Sequence, residues 1–221
     1  MPDYAVKFED LEIGGAPYHL RSLLDRQQFS DPEGAAAELG ICSAAWPLFG
    51  LLWPAGCVLA EQMSHIDFAG RRVLEVGCGL GLASLVAQAR GADVTASDRH
   101  PLADTFLRAN AALNHLPRIR FHRGDWTALG DELGRFDLIV GSDLLYDRAL
   151  PVPLAGFIER HAAGSSEVIV VDPDRGMQAP FGRLMDGHGF DHTVVLVARH
   201  DTAGGSFKGR IHTYSRLLAS S

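Results

Sequence analysis

The length of 221 residues suits one α/β domain better than two, and a hydrophobic content of 47% allows a sizeable core and excludes global disorder. The formal net charge of -7 makes nucleic acid a poor partner, because its phosphate backbone repels an acidic surface. Three cysteines without framework spacing indicate reduced thiols, and we therefore expect a cytoplasmic location.

The first seventy residues precede any regular alternation of strands and helices. Residues 6–13 and 18–20 predict a hairpin, which helices follow over the open end of the sheet. The amino terminus carries acidic residues and no apolar stretch, so we expect neither a secretory signal nor a transit peptide. Residues 39–60 contain no charge, but Pro47, Pro54 and acidic flanks favour buried structure over a membrane helix.

From residue 71 onward, short apolar runs alternate with stretches of helical periodicity. The predicted strands are 73–76, 93–97, 119–122, 136–141 and 167–171, and the predicted helices are 82–90 and 102–114. Strands separated by helices indicate right-handed βαβ units and a doubly wound, Rossmann-like parallel sheet with helices on both faces.

The last part of the chain follows a different pattern. Residues 192–198 and 210–215, joined by a glycine-rich loop at 202–206, predict a closing antiparallel hairpin. We divide the chain into an N-terminal extension, residues 1–45, which packs on the core, and a ligand-binding domain, residues 46–221.

The first strand, turn and helix contain the sequence Glu75-Val-Gly-Cys-Gly-Leu-Gly81, in which we assign Gly77, Cys78 and Gly79 to a bound cofactor. Glycines permit close approach of a nucleotide, and the following helix amino terminus offers free N–H donors. The dinucleotide fingerprint needs a glycine at position 82, which is leucine here. Glu75 would repel a pyrophosphate but suits the ammonium of S-adenosylmethionine. The alternative is a turn that only allows tight packing.

Two acidic positions follow the next two strands. Asp98, beside Arg99, ends the second strand where a carboxylate can accept both ribose hydroxyls; the alternative is a cap for the next helix. Asp125 and Trp126 follow the third strand, where they can contact adenine. The alternative there is an aspartate turn with a core tryptophan.

The fourth strand ends in Ser142, Asp143 and, three residues later, Tyr146. Because crevices at the carboxyl ends of parallel strands hold ligands, we place Asp143 and Tyr146 at the reacting atoms and Ser142 at the cofactor. Asp143 can orient an incoming ammonium, and Tyr146 can supply a ring wall or a hydroxyl. The alternative for Asp143 is a capping acid.

Two tryptophans precede the sheet in the uncharged stretch. Trp53 can cover the cofactor, since an aromatic face stabilises a cation, whereas Trp46 suits core packing. His188 and His192 lack an accompanying cysteine or acidic cluster, so we predict no metal site.

These motifs resemble the class I, seven-β-strand methyltransferases over residues 40–218, and within them the family-16 group of protein lysine methyltransferases. The resemblance is carried by residues 52–56, residues 73–81, Asp98-Arg-His-Pro101 and Asp143-Leu-Leu-Tyr146, the last matching the group's Asp/Glu-x-x-Tyr/Phe signature beside the target lysine. The chain is similar to the branch that methylates the electron-transfer flavoprotein β-subunit at Trp53-Pro54, residues 110–114, Tyr146-Asp147 and residues 171–175, except that Asp174 replaces a glycine.

The resemblance implies a seven-stranded sheet, S-adenosylmethionine as methyl donor, S-adenosylhomocysteine as product, and amine methylation. The expected partner is a protein carrying the target lysine, either the flavoprotein subunit or a ribosomal or translation protein, with no nucleic acid or membrane partner and a monomeric enzyme. Two alternatives stay open: a small-molecule N- or O-methyltransferase with an enclosed acceptor pocket, and a non-catalytic adenosine-binding module. An NAD oxidoreductase is disfavoured by the glycine spacing and Glu75.

Overall fold

The computed structural model of the chain describes residues 4–127 and 133–217. The strands within these residues are β1 (Val6–Ile13), β2 (Ala16–Leu23), β3 (Arg72–Val76), β4 (Asp93–Asp98), β5 (Arg120–Arg123), β6 (Phe136–Ser142), β7 (Ala162–Asp172), β8 (Asp191–Thr202) and β9 (Gly205–Arg216). The helices are α1 (Ala35–Glu38), α2 (Pro54–His65), α3 (Leu82–Ala89), α4 (Ala103–Leu113), α5 (Pro151–His161) and α6 (Gln178–Gly187), and a 3-10 turn spans Trp46–Gly50.

Seven of the described strands form one sheet in the order β5-β4-β3-β6-β7-β9-β8. Strands β3 to β7 pair in parallel, and β9 lies antiparallel between β7 and β8. The direction of winding reverses between β3 and β6, which is where α/β sheets of this kind open a ligand crevice. The predicted doubly wound sheet with its C-terminal hairpin is confirmed.

The central strand β3 shows why helices cover both faces of the sheet. Side chains alternate across a strand, and Val73 packs in a core cluster with residues of α2, α3 and α4. Leu74 and Val76 point to the opposite face and pack with residues of α5 and α6. Because both faces are buried, the residues from Val73 to Val76 are all apolar except Glu75.

Some elements differ in extent from the sequence prediction. Strand β7 begins at Ala162, five residues before the predicted start at Glu167, and the predicted loop at 202–206 is a tight hairpin turn at Ala203 and Gly204. Gly205 adopts a φ of 116°, and the Thr202 hydroxyl donates to its carbonyl oxygen, so the glycines permit a short connection. The uncharged stretch 39–60 holds the 3-10 turn and part of α2, and the described chain has no helix long and apolar enough to cross a membrane.

Two asparagines, one in α4 and one at its C-cap, hold the N-terminal hairpin β1–β2 on the core. Asn110 is fully buried; its Oδ1 accepts the Arg21 N–H at 2.7 Å and its Nδ2 donates to the Leu80 carbonyl at 3.1 Å. Asn114 pairs with both backbone groups of His19. Asn110 therefore connects the hairpin directly to the turn that follows β3.

We expect Asn110→Ala to lower the free energy of unfolding by about 2 to 3 kcal/mol, because the Leu80 carbonyl and the Arg21 N–H lose their partner. Urea unfolding followed by circular dichroism measures the change. Arg108→Ala, an exposed change on the same helix, should stay within about 0.5 kcal/mol. Equal losses for the two variants would show that the asparagine does not connect these elements.

Candidate active site

One cavity lies against the carboxyl ends of β3, β4 and β6, at the reversal of strand order. Its volume is about 470 Å³, and the 3-10 turn and the start of α2 close one side of it. All twelve residues assigned to the site from the sequence line this cavity: Trp53, Glu75, Gly77, Cys78, Gly79, Asp98, Arg99, Asp125, Trp126, Ser142, Asp143 and Tyr146.

The glycine-rich turn needs its glycines for backbone conformation and for close packing. Gly77, Gly79 and Gly81 have φ values of 63°, 53° and 77°, a region that favours glycine, and Gly81 is the N-cap of α3. A Cβ at Gly79 would lie 2.7 Å from the carbonyl oxygen of Phe49. The turn thus lies directly against the 3-10 turn, and Cys78 between the glycines is buried.

Glu75 is buried beneath the turn with 5% of its surface exposed. Its Oε2 accepts the backbone N–H of Ser84 at 2.8 Å and also the Ser84 hydroxyl. Burial raises the pKa of Glu75 from 4.5 to about 7, and the Ser84 hydrogen bonds oppose that rise. The carboxylate therefore fixes the first turn of α3 and also contributes negative charge to the cavity.

Asp98 joins the end of β4 to the same turn. Its Oδ2 accepts the Gly79 N–H at 2.9 Å and its Oδ1 accepts the His100 N–H at 2.8 Å. Burial raises its pKa above the ordinary value, against these two hydrogen bonds. Asp98 does not cap α4, whose N-cap is Leu102, so the alternative interpretation of Asp98 is wrong. Each oxygen retains a lone pair for a further donor.

Asp125 and Trp126 form the aspartate turn and the core contact that the sequence analysis gave as an alternative, and both also line the cavity. The exposed Asp125 carboxylate accepts the N–H and hydroxyl of Thr127, and the hydroxyl bond is the main cause of its lowered pKa. The Trp126 ring packs against the second core cluster, and its carbonyl accepts a bond from Arg160. The turn at Asp125 to Thr127 therefore holds Asp125 and Trp126 at the edge of the cavity.

Trp53 lies in the cavity wall, whereas Trp46 packs in the core as the sequence predicts. Trp53 lines the cavity at the N-cap of α2, and its Nε1 donates to the Leu48 carbonyl at 2.8 Å. The tip of the β8–β9 hairpin supports this wall, because a Cβ at Gly204 would lie 2.9 Å from the Trp53 carbonyl carbon and the Pro54 nitrogen. Trp46 is 1% exposed and packs in an aromatic cluster with Phe49.

The end of the cavity where we expect the acceptor, here called the acceptor end, follows β6. Asp143 has a φ of 52°, and its backbone N–H donates to the Val171 carbonyl at 2.9 Å. Its carboxylate forms a two-pronged ion pair with Arg175, with Oδ1–Nε and Oδ2–Nη2 distances both 2.8 Å. Tyr146 is 54% exposed, so this end of the cavity opens to the surface.

Two titratable residues of the cavity lining were given no role in the sequence analysis. Arg175 follows β7, whose carboxyl end lies beside that of β6, and only the sheet pairing brings it to Asp143. His100 is 4% exposed and stacks on Phe49 with ring centroids 3.7 Å apart; burial lowers its pKa to about 3. Its position in Asp98-Arg-His-Pro101 is the one signal that could have pointed to it.

Acidic side chains dominate the charge around the cavity. Glu75, Asp98, Asp125 and Asp143 line it, against the two guanidinium groups of Arg99 and Arg175. Across the described residues, no group of three or more histidine, cysteine or acidic side chains is placed to hold a metal ion. The arrangement favours a ligand that carries positive charge and no phosphate.

Comparison with known proteins gives the family and the fold. A family model described as lysine methyltransferase matches residues 48–180, in agreement with the resemblance carried by the motifs. The electron transfer flavoprotein beta subunit lysine methyltransferase of Danio rerio is 32% identical over 133 residues, which cover 58% of this chain and 51% of that protein. Protein N-lysine methyltransferase METTL21A of Danio rerio is 34% identical over 140 residues, covering 58% and 63%. The chain therefore spans about half to three-fifths of the length of these relatives.

A solved structure supports the fold over nearly the whole chain. The 16S rRNA methyltransferase RsmC of T. thermophilus, in complex with AdoMet and guanosine, superimposes with a TM-score of 0.61. The match covers 98% of this chain and 52% of that one at 16% identity. At this identity the likeness concerns the fold alone.

Glu75 gives a prediction for the stability of the ligand-free protein. Unfolded glutamate ionises near pH 4.5, whereas the buried side chain resists ionisation until about pH 7, so the native state binds more protons in this interval. We expect the free energy of unfolding to fall with rising pH through this window by about 2 to 3 kcal/mol relative to Glu75→Gln. Denaturant unfolding at several pH values measures the difference; parallel curves for the two proteins would contradict the assignment.

Proposed function

The chain belongs to the lysine methyltransferase family, and we propose that it transfers a methyl group from S-adenosylmethionine to a lysine ε-amine of a protein. The observation that supports this function best is that Asp143 and Tyr146 share one cavity with the glycine-rich turn. A cofactor held on the turn can thereby present its methyl group to an amine held at the acceptor end.

The residues present fit S-adenosylmethionine. Glu75 and Asp98 lie at the turn, where they suit an ammonium group and ribose hydroxyls and would repel phosphates. We assign the backbone of Gly77, Cys78 and Gly79 to the amino-acid end of the cofactor. Arg99 and Ser142 line the same region.

The adenine is assigned to the side of the cavity nearest β5. Asp125 can accept from the exocyclic amine, and Trp126 offers an apolar surface. Trp53 closes the opposite side at the start of α2, where its ring can face the sulfonium. An aromatic wall suits a cationic sulfur, which finds little hydration in a closed site.

For methyl transfer, the protein must align the acceptor nitrogen with the methyl group and exclude water from the site. The bound cofactor supplies an activated methyl group on a sulfonium. The acceptor ammonium first gives one proton to water. The nitrogen lone pair then forms a bond to the methyl carbon while the carbon–sulfur bond breaks, its electron pair returns to sulfur, and S-adenosylhomocysteine remains. Asp143 orients the amine, and Tyr146 forms a wall beside it.

The openness of the acceptor end favours a protein side chain over an enclosed small molecule. Tyr146 is 54% exposed, and the Arg175 side chain is 45% exposed. A lysine on a folded partner can enter such a site, whereas a small-molecule enzyme needs an enclosed pocket. A binding module without catalysis has no use for Asp143 and Tyr146 at this place.

Further properties belong to the same proposal. The three cysteines are free thiols, which suits a reducing, cytoplasmic compartment. The acidic net charge suits a lysine-bearing protein better than nucleic acid or an anionic membrane surface. We also propose a monomeric enzyme, with residues 1–45 as an extension of the catalytic domain at 46–221.

S-adenosylmethionine at a hundred times its dissociation constant should stabilise the protein by about 2.7 kcal/mol, because it binds the native state alone. Differential scanning fluorimetry should show a rise in melting temperature with this compound and none with NADH. A rise with NADH and none with S-adenosylmethionine would overturn the cofactor assignment.

Transfer is tested with labelled S-adenosylmethionine, using a lysate from cells that lack the gene and, as a first defined acceptor, purified electron-transfer flavoprotein β-subunit. We expect label on lysine of a protein band, located by mass spectrometry. Label confined to small metabolites would favour the small-molecule alternative.

Asp143→Asn should reduce turnover by about a hundredfold through loss of amine positioning, with cofactor affinity nearly intact. Asp186→Asn, at an exposed aspartate of α6 that does not line the cavity, serves as the matched control with unchanged turnover. Loss of cofactor binding with turnover spared at saturating cofactor would contradict the role given to Asp143.

A further inference from the structure

The ion pair between Arg175 and Asp143 lies at the place where the acceptor amine is expected. Both side chains line the cavity, and the guanidinium meets the two carboxylate oxygens with two nearly equal bonds. The Asp143 side chain is 16% exposed and the Arg175 side chain 45% exposed, so the carboxylate is shielded while the guanidinium reaches solvent. The carboxylate also raises the pKa of Arg175 above its ordinary value.

The segment that carries Arg175 is held in place by several contacts. The buried Asp172 carboxylate accepts the N–H groups of Asp174 and Arg175 and a bond from the Gln178 side chain. Asp174, which has a φ of 65°, pairs with Arg210 of β9 at 2.7 Å. These contacts fix the backbone of the loop, and the loop in turn positions the Arg175 guanidinium beside Asp143.

Other ionisable groups also face Asp143. Asp172 lies behind it at the end of β7, and Tyr146 follows it on the same loop. Burial raises the pKa of Tyr146, Arg99 lowers it, and Asp98 at the end of β4 and Asp147 on that loop raise it. The acids outnumber the cations, so without Arg175 the acceptor end would carry a marked negative charge.

A negative acceptor end would hinder the reaction. A bare carboxylate within about 4 to 6 Å of a lysine ammonium raises its pKa by about one to three units, whereas the amine must be uncharged to attack. A guanidinium paired with that carboxylate cancels most of this effect. The carboxylate oxygens still have lone pairs to accept a hydrogen bond from a neutral amine.

Building on the proposed function, we propose that Arg175 is a positioning residue that neutralises Asp143 and so makes the acceptor site favour the uncharged lysine amine. Arg175 acts through Asp143 and makes no bond to the methyl group. It also fixes the carboxylate plane, since the fork geometry of guanidinium and carboxylate allows one mutual orientation.

The probe is sinefungin, an S-adenosylmethionine analogue in which a carbon bearing a primary amine replaces the methylated sulfur. Its amine occupies the position of the transferable methyl, which faces the acceptor site. S-adenosylhomocysteine lacks this amine but shares the other groups. The ratio of the two affinities, measured by calorimetry, therefore reports on the charge near Asp143 and cancels general effects on the cofactor site.

We expect Arg175→Met to raise the ratio of sinefungin to S-adenosylhomocysteine affinity by about tenfold at about pH 7, because the uncovered carboxylate attracts the ammonium. At about pH 10, where the amine is uncharged, the difference from the parental chain should vanish. Arg175→Lys should keep the ratio near the parental value, since the charge remains. Arg210→Met, which removes the other arginine contact of the same loop, should leave it unchanged.

An unchanged ratio in Arg175→Met would overturn the inference, and so would an equal rise in Arg210→Met, which would assign the effect to loop structure. Failure of both ligands to bind the parental chain would instead contradict the proposed function. The two failures are thereby separated without a known protein acceptor.

Discussion

Two carboxylates fix the glycine-rich turn, the buried Glu75 and the partly buried Asp98, and the rest of the site depends on them. Glu75 ties the first turn of α3 to the central strand, and Asp98 ties Gly79 to the neighbouring strand. Burial opposes ionisation of both groups, so the ligand-free protein bears an electrostatic cost at this point. A cationic ligand relieves that cost, whereas an anionic one would add to it.

The cavity has two ends of different electrostatic character. At the turn, the acids have backbone and hydroxyl donors but no direct cationic partner among the hydrogen bonds described above. At the acceptor end, Asp143 is matched by Arg175. In the proposed reaction, positive charge leaves the sulfur and appears on the nitrogen. An acidic cofactor end and a balanced acceptor end suit binding of a cation and attack by a neutral amine, respectively.

The sequence allowed much of the fold to be predicted because local signals and tertiary structure agree there. Val73 to Val76 is apolar except for Glu75, the glycines lie where positive φ is needed, and Asp98 follows at the end of the next strand. Arg175 could not be found this way, since its meeting with Asp143 depends on the pairing of β6 with β7. The early start of β7 at Ala162 was missed because Ala162-Ala-Gly-Ser-Ser166 has little strand propensity. Asp125 and Trp126 show the opposite limit, because the local aspartate turn forms and both residues also line the cavity, so the motif alone does not separate its two interpretations.

The hairpin tip at Gly204 has a consequence for the order of folding. It packs on the backbone of Trp53 and Pro54, which precede the first strand of the large sheet. These residues are separated from Gly204 by most of the length of the chain. The tip reaches that wall when the β8–β9 hairpin pairs with β7 through β9. Contacts of such long sequence separation form late, after the local βαβ units. During synthesis, the glycine-rich turn can therefore fold well before the wall beside it is supported, and affinity for the cofactor should be acquired only when the final strands have docked.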